Sequence, residues 1–544
     1  MKILPHIGGV LAALLCQYCN TVLAGPNPQD DPASLAKACP DYLKYSQVKH
    51  GPYSEGPLKL SFQRPAEACR TFSSPLVEKV IEDVTSRMVD KDLAQIFRNA
   101  FPNTVDTTVR WHVTGKEKQS KKSRRLSQGE AWQGPQSFIV TGDINAEWLR
   151  DSTNQLSQYQ ALANKDPKIK TLILGAINTQ VEFVLQSPYC NAFQPPPPSG
   201  LNSIPPTQKD TVHPAYEESV VFECKYELDS LANFLALGNK FFAETKSTDF
   251  VSDRWYKAVD TVLRVIQEQS EPTFDEQGQY VRNQYTFTRM TDVGTETLNL
   301  GGIGNPLNNA TGLVRSAFRP SDDASIFGFF IPANAQMAVE LKRTAKTVKA
   351  AGGPHKLIKT LEDRANTIEQ GIREHAIVSH HKFGKVYAFE VDGYGSRLLM
   401  DDANLPSLLA LPLLGFVDKD DEIYQNTRKM ILSKEGNPYY LTGSGFHGIG
   451  GPHIGVENAW PMSVLVRAQT SDDDDEILES INMVRDASLL GLIHESVDVN
   501  NVADYTRSWF AWANSVFAQT ILDLAVRKPH LIFEKGARPY MVGE

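Results

Sequence analysis

The chain has 544 residues, 41% hydrophobic and 22% charged, with 64 acidic against 55 basic side chains. That length could hold several domains, yet no linker divides it, so one large body is expected. A formal net charge of −9 argues against a polyanion-binding protein and suits a neutral ligand.

Residues 1–24 read as a secretory signal: Lys2 supplies a positive start, Ile7 to Cys16 an apolar run, and Val22-Leu23-Ala24 a small-residue cleavage site before Gly25. The segment carries one lysine and no acid, so its removal gives −9 − 1 = −10. The run is too short to cross a bilayer, and no later segment approaches the ~18 uninterrupted apolar residues a span needs. Cys16 and Cys19 leave with the signal. The remaining Cys39, Cys69, Cys190 and Cys224 allow three pairings; Cys39 with Cys69 and Cys190 with Cys224 is preferred because each closes a modest loop. Asn309-Ala-Thr311 is a glycosylation sequon. A secreted protein, or one held in the lumen of the secretory pathway, is the expectation; Val542-Gly-Glu544 is no retention tail.

Residues 25–74 form a Pro- and charge-rich N-terminal extension without strong periodicity. From Pro75 apolar residues recur at helical spacing: Leu76, Val80, Ile81, Val84 and Met88, then Leu93, Ile96, Phe97 and Phe101. Further helices are predicted over 146–164, 167–187, 224–243, 249–270, 322–344, 355–378, 403–415, 421–433, 457–469, 474–492 and 506–527. Only fragments such as Val109–Val113, Phe138–Thr141 and Val386–Glu390 read as β. About a dozen helices in one uninterrupted body predict a mainly α fold, a closed double ring or (α/α)6 barrel. It would be a single catalytic domain over 75–528, with short β fragments in its loops and a C-terminal tail at 529–544. No fixed-period repeat favours a solenoid. Lys116 to Arg125 reads as a solvated loop, and Gln194 to Pro206 as a stiff surface loop. Asp472 to Glu476 resembles a calcium cluster, but it follows Ser471 as helix-start acids do and lacks the mid-loop glycine of a calcium loop.

Chemistry concentrates in five segments. Ser316-Ala-Phe-Arg-Pro-Ser-Asp-Asp-Ala324 sets Asp322 and Asp323 behind a Pro-Ser pair that reads as a helix entrance, with Arg319 upstream. Neighbours on a helix diverge by about 100°, so the two acids would hold different jobs. A carboxylic acid kept protonated beside a charged partner is what glycosidic bond cleavage needs of its general acid. Thr141-Gly-Asp-Ile-Asn-Ala-Glu-Trp-Leu-Arg-Asp-Ser152 offers Trp148 as a flat face for a sugar ring, and Arg150 with Asp151 for forked hydrogen bonds to hydroxyl pairs. Lys225, Glu227 and Asp229 cluster at one predicted helix start. Gly448 to Pro461 brings His453, Glu457 and Trp460 to a glycine-rich approach. Finally His494-Glu-Ser496 precedes Tyr505-Thr-Arg-Ser-Trp509, with Glu495 at a loop and Arg507 and Trp509 opening the next helix. His494-Glu495 is no zinc motif, because Asp498 stands where the second histidine belongs. Aromatics, paired carboxylates and arginines with few lysines suit a neutral polyol.

Four of these motifs, Thr141-Gly-Asp…Trp-Leu-Arg-Asp-Ser152, Phe318-Arg-Pro-Ser-Asp-Asp-Ala324, Gly450-Gly-Pro-His453 and His494-Glu-Ser…Thr506-Arg-Ser-Trp-Phe-Ala-Trp-Ala-Asn514, resemble glycoside hydrolase family 125 in consistent order from about 75 to 528. The resemblance implies an (α/α)6 barrel and an inverting exo-α-1,6-mannosidase that needs no metal or other cofactor. It places the general acid in the Asp322–Asp323 pair, Asp322 preferred, and the general base at Glu495. Trp148, Arg150, Asp151, Lys225, Glu227, Arg319, Asp323, His453, Glu457, Arg507 and Trp509 would bind substrate. The expected partner is a mannose-containing oligosaccharide, with no nucleic acid and no membrane span, and the expected state a monomer. The basic insert, the Pro-rich loop and the N-terminal extension depart from the family pattern and bear on linkage and glycan size. The rivals are another (α/α)6 glycosidase, acting on glucosides or α-1,2-mannosides, and an inactive secreted glycan-binding protein.

Overall fold

The computed structural model describes residues 39–115, 132–205 and 208–542; the expected signal segment, the basic stretch Lys116–Arg125 and the last two residues lie outside them. Twelve α-helices of seven or more residues carry the described body. They are α1 (Pro75–Arg87), α2 (Lys91–Ala100), α3 (Leu149–Gln155), α4 (Pro167–Gln186), α5 (Leu228–Thr245), α6 (Asp253–Glu268), α7 (Ile331–Ala350), α8 (His355–His375), α9 (Glu422–Ile431), α10 (Pro461–Gln469), α11 (Asp474–Ala487) and α12 (Ala511–Arg527). The fold is the expected (α/α)6 barrel. In its inner ring α12 packs on α3, α3 on α5, α5 on α7 and α7 on the short helix Leu411–Leu414, while α10 packs back on α12. The outer helices lean on this ring, α4 on α5, α8 on α7, α11 on α10 and α2 on α12. One large apolar cluster fills the space between the rings. No helix among the described residues is long and apolar enough to cross a membrane.

The two rings differ at their helix starts. Outer helices, α8 behind Pro354 excepted, open on capping side chains: Ser74 accepts from the Val77 amide, Asp90 from Asp92 and Leu93, Asp166 from Lys168 and Ile169, Ser252 from Trp255, Asp421 from Tyr424 and Asp473 from Asp475 and Glu476. The acids at 472–476 are therefore helix-start chemistry, as read from the sequence. Inner helices α3, α5, α7, α10 and α12 open at Trp148, Glu227, Phe330, Trp460 and Phe510, none of which makes a side-chain cap. Each is preceded by an extended segment that pairs with its neighbours. Glu147–Trp148, Ala192–Phe193 and Val221–Glu223 form one small antiparallel sheet, and Asn458–Ala459 pairs with Val497–Asp498.

These segments account for the largest departure from expectation. The helix predicted over 322–344 starts at Ile331, and Asp322 and Asp323 lie in a loop. Phe318 and Ala324 bridge antiparallel, the Arg319 amide donates to the Asp323 carbonyl (2.8 Å) and the Asp322 amide to that of Arg319 (2.9 Å), closing a tight turn instead of a helix entrance. The helix expected over 403–415 shortens to Leu411–Leu414 for the same reason, since Asp401 and Asp402 spend their carboxylates on loop amides. Both disulfides form as preferred, Cys39–Cys69 and Cys190–Cys224.

Candidate active site

The segments entering the inner helices converge at one end of the barrel on a pocket lined by Thr141, Trp148, Arg150, Asp151, Asp322, Asn404, His453, Trp460, Glu495, Arg507 and Trp512, among others. Seven of these residues are sequence-predicted binding or catalytic positions from four different loops. Leaving the inner helix starts uncapped directs their positive ends at this pocket.

Asp322 stands at the pocket wall with φ +66°, a left-handed backbone that a non-glycine residue adopts at a cost of about 1–2 kcal/mol. Asp is among the residues that tolerate it, and such strain marks functional positions when the surroundings hold it in place. Asn191 does part of that holding: its Nδ2 donates to Asp322 Oδ1 (3.1 Å) and to Glu227 Oε1 (3.2 Å). Behind Asp322, the buried Arg150 guanidinium reaches Glu227 (2.6 Å), Asp229 (3.3 Å) and Asp151 (3.2 Å). Burial alone would raise the Asp322 pKa, but Lys225, Arg150, the hydrogen bond with Glu227 and His453 draw it below the ordinary value. Burial pushes Glu227 well above its own, against Arg150 and with Asp229 and Asp322 adding to the rise. Asp151 is pushed up to about 6 by burial, in spite of Arg150. Asp323 sits deeper, accepting from the Ser321 hydroxyl (2.8 Å) and facing His453 Nδ1 (3.9 Å). His453 is raised to about 9: burial opposes its charge, but the hydrogen bond and charge of Asp323, with Glu495 and Asp322 behind them, win.

Across the pocket lies Glu495, 5% exposed. Its Oε2 accepts from the Thr506 hydroxyl (2.7 Å) and meets Arg507 Nε at 3.4 Å, while Arg507 Nη1 pairs with Asp143 (2.8 Å). His494 beside it is buried and neutral, its pKa lowered to about 4 by burial, with the ring stacked on Tyr505 at 3.9 Å and Nδ1 2.9 Å from the Arg507 carbonyl. This arrangement fixes the Arg507 loop without titrating near neutral pH. Gly142, at φ +133°, lets Trp509 approach so closely that a Cβ would come within 2.8 Å of its ring.

The walls are aromatic. Trp148, Trp460, Phe510 and Trp512 line the pocket, with Arg150 stacked over Trp512 at 5.2 Å and Arg507 over Phe510 at 5.5 Å. The indole nitrogens of Trp148, Trp460 and Trp512 and the Thr141 hydroxyl are buried without a protein partner, which suits them to donate to sugar hydroxyls. Trp460, Trp512 and Thr141 fall inside segments singled out from the sequence. Asn404 does not; its signal was a second adjacent acid pair, Asp401–Asp402, ahead of it.

Several predicted binding residues serve elsewhere. Arg319 is buried in an ion pair with Glu390 (2.6 Å) and anchors the acid loop rather than ligand. Glu457 is exposed outside the pocket. Lys225 and Glu227 stand behind Asp322, Lys225 paired with Glu223 at 3.3 Å. Trp509 packs edge-on against Tyr42 (5.0 Å) and lines an adjoining cavity of about 420 Å³ with Leu43, Gln47, Asp143, Tyr505, Thr506, Arg507 and Ser508. Arg507 is common to both cavities. Among the described residues, no group of three or more His, Cys, Asp or Glu is arranged to hold a metal ion.

The model of the metal-independent α-mannosidases, glycoside hydrolase family 125, matches residues 90–522. The chain is 54% identical over 498 residues to the meiotically up-regulated gene 157 protein of Schizosaccharomyces pombe, covering 91% of this chain and 94% of that one. Its fold superposes with a TM-score of 0.72 and 31% identity on a metal-independent α-mannosidase of Streptococcus pneumoniae, solved in a non-productive complex with α-1,6-mannobiose. That match covers 83% of this chain and 98% of the bacterial one.

Proposed function

The chain belongs to the metal-independent α-mannosidases of glycoside hydrolase family 125, and from that premise we propose that it releases terminal mannose from α-1,6-linked mannosides with inversion at the anomeric carbon. The observation that carries this reading is that Asp322 and Glu495 enter one aromatic pocket from separate loops, one strained in place and the other held by Thr506 and Arg507. Asp322 protonates the departing glycosidic oxygen. Glu495 takes a proton from the water that attacks the opposite face; inversion requires the two carboxyls to stand ~6.5–9.5 Å apart so that this water fits between them. The α-1,6 preference draws on the mannobiose bound by the bacterial relative. Trp148, Trp460 and Trp512 supply ring-stacking faces, and Arg150 orders the acids behind them.

The adjoining cavity, past the Arg507–Asp143 pair, takes sugars on the leaving side of the glycan. Secretion, or retention in the lumen of the secretory pathway, is supported by the sequence of residues 1–24 and by Asn309, exposed as a glycan acceptor should be, and the enzyme is read as a monomer. Incubating the enzyme with α-1,2-, α-1,3- and α-1,6-mannobiose, with NMR of the first anomer formed, tests the whole reading. Mannose released from the α-1,6 dimer as the β-anomer supports it. Release of the α-anomer, or preference for another linkage, overturns it.

A further inference from the structure

The assignment of Asp322 as general acid leaves a difficulty that the surrounding groups resolve. A general acid must carry a proton when substrate arrives. Asp322, however, is held among cations: Lys225 and Arg150 from beside and below, and His453 from the glycine-rich loop. Such neighbours favour its anion.

The proton lies further in. The carboxyls of Asp322 and Glu227 meet on one amide, Asn191 Nδ2 donating to both, at 3.1 Å and 3.2 Å. Two like charges brought together in a buried site favour keeping one proton between them. Within the pair Glu227 is the better place for it. Glu227 is 1% exposed, beside Asp229, and accepts from the Ser230 hydroxyl (2.8 Å). Its nearest cation, Arg150, is divided among Glu227, Asp229 and Asp151. The wider surroundings are also rich in acid. Glu223 pairs with Lys225, while Asp143 and Glu495 share Arg507, so among the described residues the neighbouring cations are already engaged by other acids.

Resting on the reading of Asp322 as the acid, we propose that Glu227 is a positioning residue that stores the catalytic proton in the free enzyme and passes it to Asp322 as the glycosidic bond breaks. The proton moves from Glu227 to Asp322, and Asp322 hands that same proton to the glycosidic oxygen. The C1–O bond electrons go to the leaving alcohol. Glu227 ends as a carboxylate. Water adds to C1 and loses its proton to Glu495, which returns it to solvent, and the pair regains one proton from solvent after product departs.

Glu227→Gln keeps the size and a hydrogen-bond donor but has no proton to give. The alkaline limb of kcat/KM on α-1,6-mannobiose should then move acidward by about one pH unit or more, and the rate at pH 7 fall roughly tenfold. Mannosyl fluoride, whose leaving group needs little protonation, should lose much less. Loss of equal size on both substrates, or an unmoved alkaline limb, would reduce Glu227 to a structural role and overturn the proposal. Lys225→Met provides an independent arm if Glu227→Gln does not fold: removing the cation beside Asp322 should shift the same limb alkaline, and an unmoved or acid-shifted limb counts against the proposal. Asp322→Asn, run alongside, separates the two readings. If it fails to spare mannosyl fluoride, Asp322 is not the acid, whatever Glu227 does.

Discussion

Asp322 and Asp323 are adjacent in the chain and face different partners, one accepting from Asn191 at the pocket wall, the other accepting from Ser321 and paired with His453. Their division of labour is therefore testable by amide substitution. Asp322→Asn should lower the rate on mannobiose by orders of magnitude yet spare an activated aryl mannoside or mannosyl fluoride, whereas Glu495→Gln should lower it on every substrate. Leaving-group dependence at Asp323→Asn instead would swap the pair's roles, and its absence from both would sink the acid assignment. His453 gives a second residue-scale test. Its pKa in the folded protein, about 9, exceeds the unfolded value of 6.5, so its pairing with Asp323 is complete below pH 6.5 and is lost as pH rises through 9. With 37% of the side chain exposed, water screens the pair, and the effect belongs to titration more than to stability. NMR of the ring protons should find the midpoint well above 6.5 in the native protein and lower in Asp323→Asn; an identical midpoint in the two would remove Asp323 as its cause. At this scale much of the site was legible, because acids, arginines and tryptophans crowd into short segments that core packing does not need. Arg319 and Glu457 misled, since nothing in their neighbours distinguishes an anchoring or exposed charge from a binding one.

Among the elements, helix ends separate what the sequence can show from what it cannot. Starts predicted at 167, 355 and 474 coincide with α4, α8 and α11, and 421 lies one residue before α9, whereas those at 146, 224, 249, 322, 403, 457 and 506 precede their helices by three to nine residues. Apart from 249, which precedes the outer α6, the second set is the inner ring. Ser and Asp caps and a polar outer face mark an outer helix, but an inner helix is buried nearly all round and starts without a cap. Its apolar pattern continues without a break into the strand-like segment before it. The unreadable starts are the functional ones, because the backbone that leaves a helix uncapped is the backbone that carries the site. Cys190 and Cys224 act on two such segments: they flank Asn191 and Lys225, so the bond between them ties together the donor to both carboxyls and the cation beside Asp322. Replacing both cysteines with serine should cost about 2–4 kcal/mol of stability. It should also lower activity at temperatures where the protein remains folded. Denaturant titration paired with rates at 25 °C would separate these effects, and a destabilised but fully active variant would deny the bond its positioning role.

At the scale of the whole molecule, the barrel alone does not finish the site. The family match begins at residue 90, yet Leu43 and Gln47, ahead of it, line the cavity beside the catalytic pocket. That N-terminal segment is fastened in several ways: Cys39–Cys69, the Arg64 ion pairs to Glu78 (2.6 Å) and Asp106 (2.7 Å), the Ser46–Ser508 hydroxyl contact (2.8 Å) and Tyr42 on Trp509. Without periodicity, nothing in residues 25–74 could have said where on the barrel they would settle; docking depends on partners more than 400 residues away, such as Ser508. A cavity of about 420 Å³ lies within the ~300–1,000 Å³ range of small-ligand pockets. If sugars on the leaving side occupy it, the segment sets how long a glycan the enzyme prefers. Gln47→Trp, which fills the cavity without touching Asp322 or Glu495, should lower kcat/KM for an α-1,6-mannotriose several-fold more than for an activated aryl mannoside, since a filled pocket loses the uniform binding of the extra residue. Leu43→Trp should act in the same direction. Equal changes on the two substrates would mean that the cavity holds no part of the glycan, and that the N-terminal segment serves only to brace the Arg507 loop from outside.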